Sequence, residues 1–254
     1  MIIDTHAHLN MEEYTHDLDH VLGRAMKHDV TKVIVIGMHE PSNHKAIELA
    51  EKHPMLYATV GIHPGYVDED QETERLKKYL LHPKVVAIGE CGLDYYWRSD
   101  NKQLQEKIFL EQIKLAKQFQ KPLVIHTRNS FREAYQMILP YQGEVSGVFH
   151  CFSGDLEDAK KAIELGFYIG IDGPITFSKN EMLRRIVDQI DLKHILVETD
   201  SPFMTPTPFR GTRNEPAYTR YVAQKIAEIK RIPLQDVIYQ TTQNAKQLFN
   251  IKEE

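Results

Sequence analysis

Two histidines and an aspartate stand together near the start of the chain, in the stretch D-T-H-A-H. On a β-strand alternate side chains point to the same side, so Asp4, His6 and His8 are predicted to share one face. Thr5 and Ala7 then point to the other face. Imidazoles two residues apart can bind a single cation, and the stretch therefore predicts part of a metal site.

Further polar blocks follow other apolar runs: G-I-H-P, G-E-C-G-L-D, H-T-R, H-C-F-S-G and E-T-D-S-P. Together with the first histidines they supply six candidate metal ligands, which are His6, His8, Glu90, His126, His150 and Asp200. Six ligands are more than one tetrahedral ion needs. They suit two divalent ions roughly 3.5–4 Å apart, bridged by a carboxylate and a hydroxide. Burying these groups with no metal would cost several kcal/mol for each unpaired group. His63 of the first block is predicted either to position substrate or to cap a turn.

Short apolar runs, each followed by a stretch with helical periodicity, must position these residues. The predicted strands are Ile2–His8, Lys32–Gly37, Leu56–Gly61, Val85–Glu90, Leu123–Thr127, Ser146–His150, Phe167–Ile171 and Ile195–Thr199. This order predicts an α/β fold, a (β/α)₈ TIM barrel in which all strand ends open onto one face. The tail after Arg231 is predicted to add helix on the outside, and residues 1–254 to form one domain. An open doubly wound sheet is the rival, but the first strand leads into His8-Leu9-Asn10 without the glycines of a phosphate loop.

Composition limits the classes of protein to consider. The 254 residues are 42% hydrophobic and 26% charged, as in ordinary soluble proteins, and no apolar run approaches the ~18 residues of a membrane span. The absence of a secretory signal pattern and the presence of only two cysteines predict a cytoplasmic protein. Cys91 and Cys151 each follow a candidate ligand and are predicted to be small buried side chains facing the helices. A net charge of −5 argues against a broad grip on duplex nucleic acid but allows a local basic site.

The chain resembles the TatD-type deoxyribonucleases of the amidohydrolase superfamily in the order of five blocks: D-T-H-A-H, G-E-C-G-L-D, H-T-R, H-C-F-S-G and E-T-D-S-P. The resemblance extends from Asp4 to about Pro216 and rests on five blocks, each at a predicted strand end. It implies a metal-dependent phosphodiesterase that removes nucleotides from DNA ends, in the 3′ to 5′ direction and with a preference for single strands. A glutamate at the end of the fourth strand, in place of a carboxylated lysine, favours this branch of the superfamily.

The resemblance also implies how the ligands divide between the metals. One metal is held by His6, His8 and Asp200, and the second by His126 and His150. Glu90, at the end of the fourth predicted strand, bridges both. The family is described as magnesium-dependent, whereas imidazole-rich sites favour transition metals, so Mg, Mn and Zn all remain candidates.

Metal-assisted hydrolysis assigns further roles. Glu90 and Asp200 are the predicted catalytic carboxylates, and Asp200 is expected to accept the proton of the attacking water. Asp4 is expected to orient a ligand histidine through its second ring nitrogen. The predicted substrate-binding residues are His63, Arg128, Arg210 and Arg213, and the aromatic side chains that could stack on bases are Tyr95, Tyr96 and Trp97.

Two other functions fit parts of the sequence. The same metals could serve a lactonase, an amidase or a phosphotriesterase acting on a small molecule, although the arginines near Asp200 favour an anionic phosphate. The second alternative is a metal-dependent binding or scaffold protein that has lost catalytic activity. The presence of all six candidate metal ligands argues against it. The expected partner is the end of single-stranded DNA, with no membrane and no obligate protein partner.

Overall fold

Eight parallel strands alternate with helices in the computed structural model of the protein, which describes residues 1–69 and 72–252. The strands are β1 (Ile2–Ala7), β2 (Val30–Val35), β3 (Leu56–Val60), β4 (Val85–Asp94), β5 (Leu123–Arg128), β6 (Gly147–Phe149), β7 (Tyr168–Ile171) and β8 (Ile195–Val197). The helices of this part of the chain are α1 (Leu18–Lys27), α2 (Glu40–Lys52), α3 (Lys77–Leu80), α4 (Lys102–Phe119), α5 (Phe131–Ile138), α6 (Leu156–Glu164), α7 (Glu181–Gln189), α8 (Thr219–Lys230) and α9 (Leu234–Phe249). No helix among the described residues is long and apolar enough to cross a membrane.

The strands pair in chain order, from β1 beside β2 to β7 beside β8. The residues that follow β8 bring its end back to β1: Ala7 and Ser201 form a parallel bridge, and the Asp200 amide donates to the His6 carbonyl at 2.9 Å. The predicted (β/α)₈ TIM barrel with extra C-terminal helix is therefore confirmed. That residues 1–254 form a single domain stays a prediction.

Apolar side chains pack in two layers. The larger layer lies between strands and helices, and it includes Phe109, Ile113 and Ala116 on the buried face of α4. The second combines strand residues such as Ile3 with Phe249 of α9. Hydrogen bonds join α9 to the chain at the starts of β1 and β8, so it covers the end of the barrel opposite the carboxyl ends of the strands. The apolar filling leaves those carboxyl ends for the polar residues.

The strand boundaries differ from the prediction where function is concentrated. β4 continues to Asp94 because it keeps pairing with β5, from Cys91 opposite Ile125 to Asp94 opposite Arg128. β6 ends before His150. Pairing of β1 with β2 also shifts register between Asp4 and Ala7, so strict alternation does not continue through this strand.

Candidate metal centre

A first group of donor atoms comes from β1, the end of β4 and the residues after β8. The Nε2 atoms of His6 and His8 lie 3.2 Å apart. Asp200 Oδ1 is 3.5 Å from the first of these nitrogens and 3.3 Å from the second. Glu90 Oε2 lies 3.5 and 3.6 Å from the same nitrogens. Nitrogen and oxygen ligands about 2.0–2.2 Å from one tetrahedral ion are about 3.3–3.6 Å from each other, so these four donors fit a single divalent cation.

A second group surrounds the other oxygen of the same glutamate. Glu90 Oε1 is 2.7 Å from His150 Nε2, 3.1 Å from His126 Nδ1 and 3.5 Å from His63 Nε2. The facing nitrogens of His126 and His150 are 3.4 Å apart. The carboxylate of Glu90 thus presents one oxygen to each group, which is the arrangement of a ligand that bridges two ions.

Local backbone geometry places Glu90 between the two groups. Gly89, which precedes it, has φ +152°, and a Cβ there would lie 2.6 Å from the Val124 carbonyl oxygen. Only glycine allows this close approach of β4 to β5. The Glu90 amide then donates to the Gly37 carbonyl at 2.7 Å, which fixes the residue from the side of β2.

The surroundings hold the two carboxylates in the ionised state that metal binding requires. Burial alone would raise the pKa of Glu90, but the imidazoles of His150, His63 and His126 lower it well below its usual range. Burial also opposes ionisation of Asp200, yet the hydrogen bond with His8 and the nearby imidazoles lower its pKa. Anionic oxygens among converging imidazole nitrogens are a donor set suited to divalent cations.

Burial affects the imidazoles in different ways. Burial lowers the pKa of His6 to about 4 and that of His63 to about 3, so both rings are neutral near pH 7. At two rings burial is outweighed: the hydrogen bond with Asp200 and the nearby carboxylates raise the pKa of His8, and hydrogen bonds with Asp94 and Glu90 raise the pKa of His126 to about 9. A bound cation would compete with that ring proton, as it does at any histidine ligand.

Asp94 has a role here that sequence reasoning missed. Its Oδ2 lies 2.9 Å from His126 Nε2, and its Oδ1 accepts the backbone amides of Tyr96 at 3.1 Å and Trp97 at 3.0 Å. It therefore orients a candidate ligand from the side facing away from Glu90. Its position at the end of the G-E-C-G-L-D block was the available signal, because a strand extended by four residues carries Asp94 to the same edge.

Asp4 does not orient a ring as predicted. Its carboxylate accepts hydrogen bonds from the backbone of His6 at 3.2 Å and from the backbone and hydroxyl of Thr199 at 3.0 and 2.7 Å. The register shift after Asp4 is the physical reason, since it ends the alternation that would have put this side chain beside the two histidines. Burial raises the pKa of Asp4 to about 7. Asp4 joins β1 to the segment after β8 and so holds the backbone that carries His6.

His63 caps a turn, as one of its two predicted roles requires, while a role in positioning substrate stays a prediction. Its Nδ1 accepts the Gly65 amide at 2.9 Å and caps the short 3₁₀ turn Pro64–Tyr66. Its Nε2 faces Glu90, as described above, and the residue lines the cavity. It is therefore placed to act as a further ligand of the second group.

A cavity of about 910 Å³ opens above the two groups. Polar ligands form its floor, while its walls include apolar and aromatic side chains, among them Phe152, Met182 and Phe203. Trp97, with 69% of its surface exposed, stands at one wall. The volume lies in the range of small-molecule and cofactor sites and leaves room for a substrate above the floor.

Of the three predicted substrate arginines, Arg128 alone lines this cavity among the described residues. Its guanidinium carbon lies 4.1 Å from the centre of the Tyr96 ring and 5.2 Å from that of Trp97. Arg210 lies over the Phe177 ring at 3.9 Å. Arg213 forms a two-pronged ion pair with Asp17, at 2.9 and 2.6 Å, and also donates to the Glu13 carbonyl. Because its charge is already paired, the structure gives no support to phosphate binding by Arg213.

The aromatic segment after β4 divides in two. Tyr96 and Trp97 pack edge to face, 4.9 Å apart, with the Arg128 guanidinium over both rings. Tyr95 instead donates its hydroxyl to Glu106 Oε1 of α4 at 2.7 Å and is absent from the described cavity lining. Tyr96 and Trp97 therefore remain candidates for stacking, and Tyr95 packs the loop against a helix.

The two cysteines also differ. Cys91 is fully buried in the apolar layer, as predicted. Cys151 instead lines the cavity, so the prediction for it is wrong. The reason is that β6 ends at Phe149 and Cys151 has left-handed backbone geometry, φ +42°, which removes strand alternation as a guide to its direction.

Comparison with known proteins agrees with the barrel fold and with metal-dependent chemistry at the cavity. The family described as TatD related DNase matches residues 3–250. The metal-dependent hydrolase YabD of Bacillus subtilis is 41% identical and covers 99% of this chain and 100% of its own length. The metal-dependent hydrolase YcfH of Escherichia coli is 33% identical, over 98% of this chain and 96% of its own. The names of both relatives call them uncharacterized.

Solved structures agree as well. YjjV, a TatD homolog from Escherichia coli, superposes with a TM-score of 0.93 at 31% identity and covers 99% of this chain and 98% of its own. A phosphotriesterase homology protein from the same species shares the fold alone, with a TM-score of 0.67 at 17% identity over 98% of each chain. With the family matched from one end of the barrel to the other, the chain belongs to the TatD-related DNase family and is a metal-dependent hydrolase.

Proposed function

We propose that this protein is a deoxyribonuclease that removes nucleotides from the 3′ ends of single-stranded DNA. The observation that carries the proposal is the stack of Arg128 on Tyr96 and Trp97 at the cavity wall, above the ligand groups. A guanidinium suits a phosphate, and an exposed aromatic ring suits a nucleobase. The DNase description of the matched family supports the same substrate class. A cytoplasmic location is part of the proposal.

In this reaction the six candidate ligands would hold two divalent ions, with Mg, Mn and Zn as candidates. When bound, such a pair lowers the pKa of a water molecule and offsets charge on the phosphate oxygens. Glu90, whose two oxygens face the two groups, sets their separation. Asp94 keeps the His126 ring in place through Nε2.

The proton of the attacking water needs an acceptor at the cavity. Asp200 is placed for this task, because its carboxylate lines the cavity and its side chain keeps 11% of its surface exposed. The lowered pKa of Asp200 keeps it ionised before the reaction. It can therefore take the proton and return it to solvent or to the departing 3′ oxygen.

Substrate binding is assigned to the wall above this floor. Arg128 is held over Tyr96 and Trp97, so it can meet a phosphate without losing much side-chain freedom. The Trp97 ring is open to a base next to that phosphate. A few such contacts suit a strand end and are compatible with a net charge of −5, because gripping a long duplex needs many more cations.

The test is hydrolysis of end-labelled single-stranded DNA by purified protein. Samples contain Mg²⁺ or Mn²⁺, or a chelator, and matched DNA blocked at its 3′ end serves as control. We expect metal-dependent release of mononucleotides that stops on the blocked strand. Absence of mononucleotides with every metal would overturn the exonuclease proposal, and equal release from the blocked strand would overturn the polarity.

A second candidate function is suggested by the apolar walls. Phe152, Met182 and Phe203 would suit an uncharged lactone or phosphotriester as well as a base. The two functions separate in one assay series: Arg128→Ala should slow hydrolysis of DNA and leave hydrolysis of a neutral triester unchanged. Efficient hydrolysis of lactone or triester, with none of DNA, would favour the second function.

A further inference from the structure

Three donor groups meet at the cavity beside the two histidine-containing groups. Cys151, Asp172 and Asp200 each offer a ligand atom, and these atoms lie within 4.8 Å of one another. They come from the segments after β6, β7 and β8, which are neighbours in the barrel. Asp200 also belongs to the first group described above, so the trio and that group have one ligand in common.

Asp172 is the unexplained member of this trio. Only 1% of its surface is exposed, and its Oδ2 has no hydrogen-bond partner among the residues that the structure describes. A buried carboxylate oxygen normally has a partner, because leaving it unpaired costs the solvation it had in water. The residue lines the cavity, so the unpaired oxygen belongs to the same space as the ligand groups.

Cys151 is directed toward this carboxylate by its backbone. The residue has φ +42°, and its amide donates to Glu198 Oε1 at 2.6 Å. Its thiol interacts with the Asp172 side chain. Cys91 provides the contrast, since its thiol is closed into the apolar layer and donates weakly to the Val124 carbonyl at 3.5 Å. One cysteine is thus structural, whereas the other presents sulfur to the cavity.

We infer that Cys151, Asp172 and Asp200 form a third divalent-cation site beside the two-group centre. One sulfur and two carboxylate oxygens are ligands for Zn²⁺ or Co²⁺ and are poorly matched to Mg²⁺. Three protein ligands leave a fourth tetrahedral position, and it opens to the cavity. On binding, the sulfur–metal bond replaces the thiol S–H bond, and the proton passes to solvent.

The separation of the three donor atoms can be compared with that of a loaded site. With metal–sulfur bonds of about 2.3 Å and metal–oxygen bonds of about 2.0–2.2 Å, tetrahedral ligands lie roughly 3.3–3.7 Å apart. The three donor atoms lie within 4.8 Å of one another, so closure by about 1 Å at most brings them to these separations, and rotation of an aspartate can supply it. Sharing Asp200 makes this site weaker than the first two, since one carboxylate then serves two cations. We expect it to fill last.

Cobalt distinguishes this site from the others by its sulfur ligand. Metal-free protein is titrated with Co²⁺ while the near-ultraviolet thiolate-to-cobalt charge-transfer band is recorded. The first two equivalents should bind without the band, because their ligands are nitrogen and oxygen. The third equivalent should produce it. Absence of the band at a tenfold excess of Co²⁺ would overturn the third site.

Variants locate the sulfur and test the aspartate. Cys151→Ser should bind the first two equivalents and lose the band, whereas Cys91→Ser, the matched control, should keep it. Asp172→Asn should shift the appearance of the band to at least about tenfold higher Co²⁺. A band retained in Cys151→Ser, or unshifted in Asp172→Asn, would contradict the assignment. Circular dichroism of each variant checks folding, and the two variants test the site independently.

This outcome is separable from the nuclease proposal. Release of nucleotides without a charge-transfer band would remove the third site and leave the nuclease. A charge-transfer band without nuclease activity would support the third site and contradict the nuclease proposal. A further consequence links them: excess Zn²⁺ should slow DNA hydrolysis by wild type, because the third ion occupies Asp200, the proposed proton acceptor. Asp172→Asn should be less sensitive to that inhibition.

Discussion

The floor and the walls of the cavity differ in polarity and in exposure to solvent. On the floor, Glu90, His6, His8 and His150 are buried, and each oxygen of Glu90 lies within 3.6 Å of an imidazole nitrogen. At the walls, Trp97 is 69% exposed and Phe203 48% exposed. The floor is polar and closed, whereas the walls are apolar and open.

This difference predicts different kinds of mutational effect. Floor residues share one set of interactions, so removing one should disable the whole centre. The exposed wall residues contact few neighbours, so each substitution should weaken substrate binding partially and independently of the others. Asp94 belongs to both regions, because it contacts His126 below and the amides of Tyr96 and Trp97 above.

The largest effect is expected for Glu90→Ala. Loss of the carboxylate that faces both groups should remove bound metal and reduce DNA hydrolysis by more than about a thousandfold. Metal content by elemental analysis and the rate of nucleotide release measure the two effects. Glu106→Ala, which removes a carboxylate outside the cavity, is the control and should retain both. Full metal content in Glu90→Ala would refute the bridging role.

A smaller loss is expected for Asp94→Asn, which tests the link between floor and wall. Its amide oxygen can still accept the Tyr96 and Trp97 amides, but its NH₂ group would face His126 Nε2 and favour the wrong tautomer. Metal affinity should fall about 10- to 100-fold. The matched control is Asp68→Asn, whose carboxylate binds Arg98 and Asn101 in the same region. Unchanged metal affinity would show that Asp94 only shapes the loop.

Local patterns explain what could be predicted from the sequence. Apolar runs and helical periodicity predicted the barrel, because the type of each element follows from the spacing of apolar residues over a short stretch of sequence. Glu90 and His150 could be grouped because the carboxyl ends of parallel strands meet at one face. The same reasoning applies to Asp200, whose segment closes the barrel against β1.

The missed details depend on distant contacts or on irregular backbone. The role of Asp4 was mispredicted because a register shift breaks alternation, and the direction of Cys151 because its backbone is left-handed. The partner of Arg213 is Asp17, 196 residues away in sequence, so no local pattern revealed that the charge was already paired. Sequence periodicity carries no information about such pairings.

An intermediate effect is expected at the wall. Trp97→Ala should raise KM for single-stranded DNA by between about 5-fold and 150-fold, since stacking of a base on an aromatic ring contributes about 1–3 kcal/mol. Metal content should stay at the wild-type level. Tyr95→Phe is the control, because its hydroxyl meets Glu106 away from the cavity. An unchanged KM would mean that the exposed indole packs the loop without touching substrate.

The smallest kinetic effect is expected for Arg213→Ala, which tests whether the wall extends beyond Phe203 to the far part of the loop after β8. The Arg213–Asp17 pair is about one-third exposed at each side chain, at 30% and 33%. Such pairs contribute about 1 kcal/mol or less, equivalent to roughly 2–4 °C in Tm for a chain of this size. KM for DNA should stay within about twofold of wild type, while Tm falls to the extent seen in Asp17→Asn. A tenfold rise in KM with an unchanged Tm would instead move Arg213 from a structural pair to the substrate, and the open wall would then extend across the loop as far as α1.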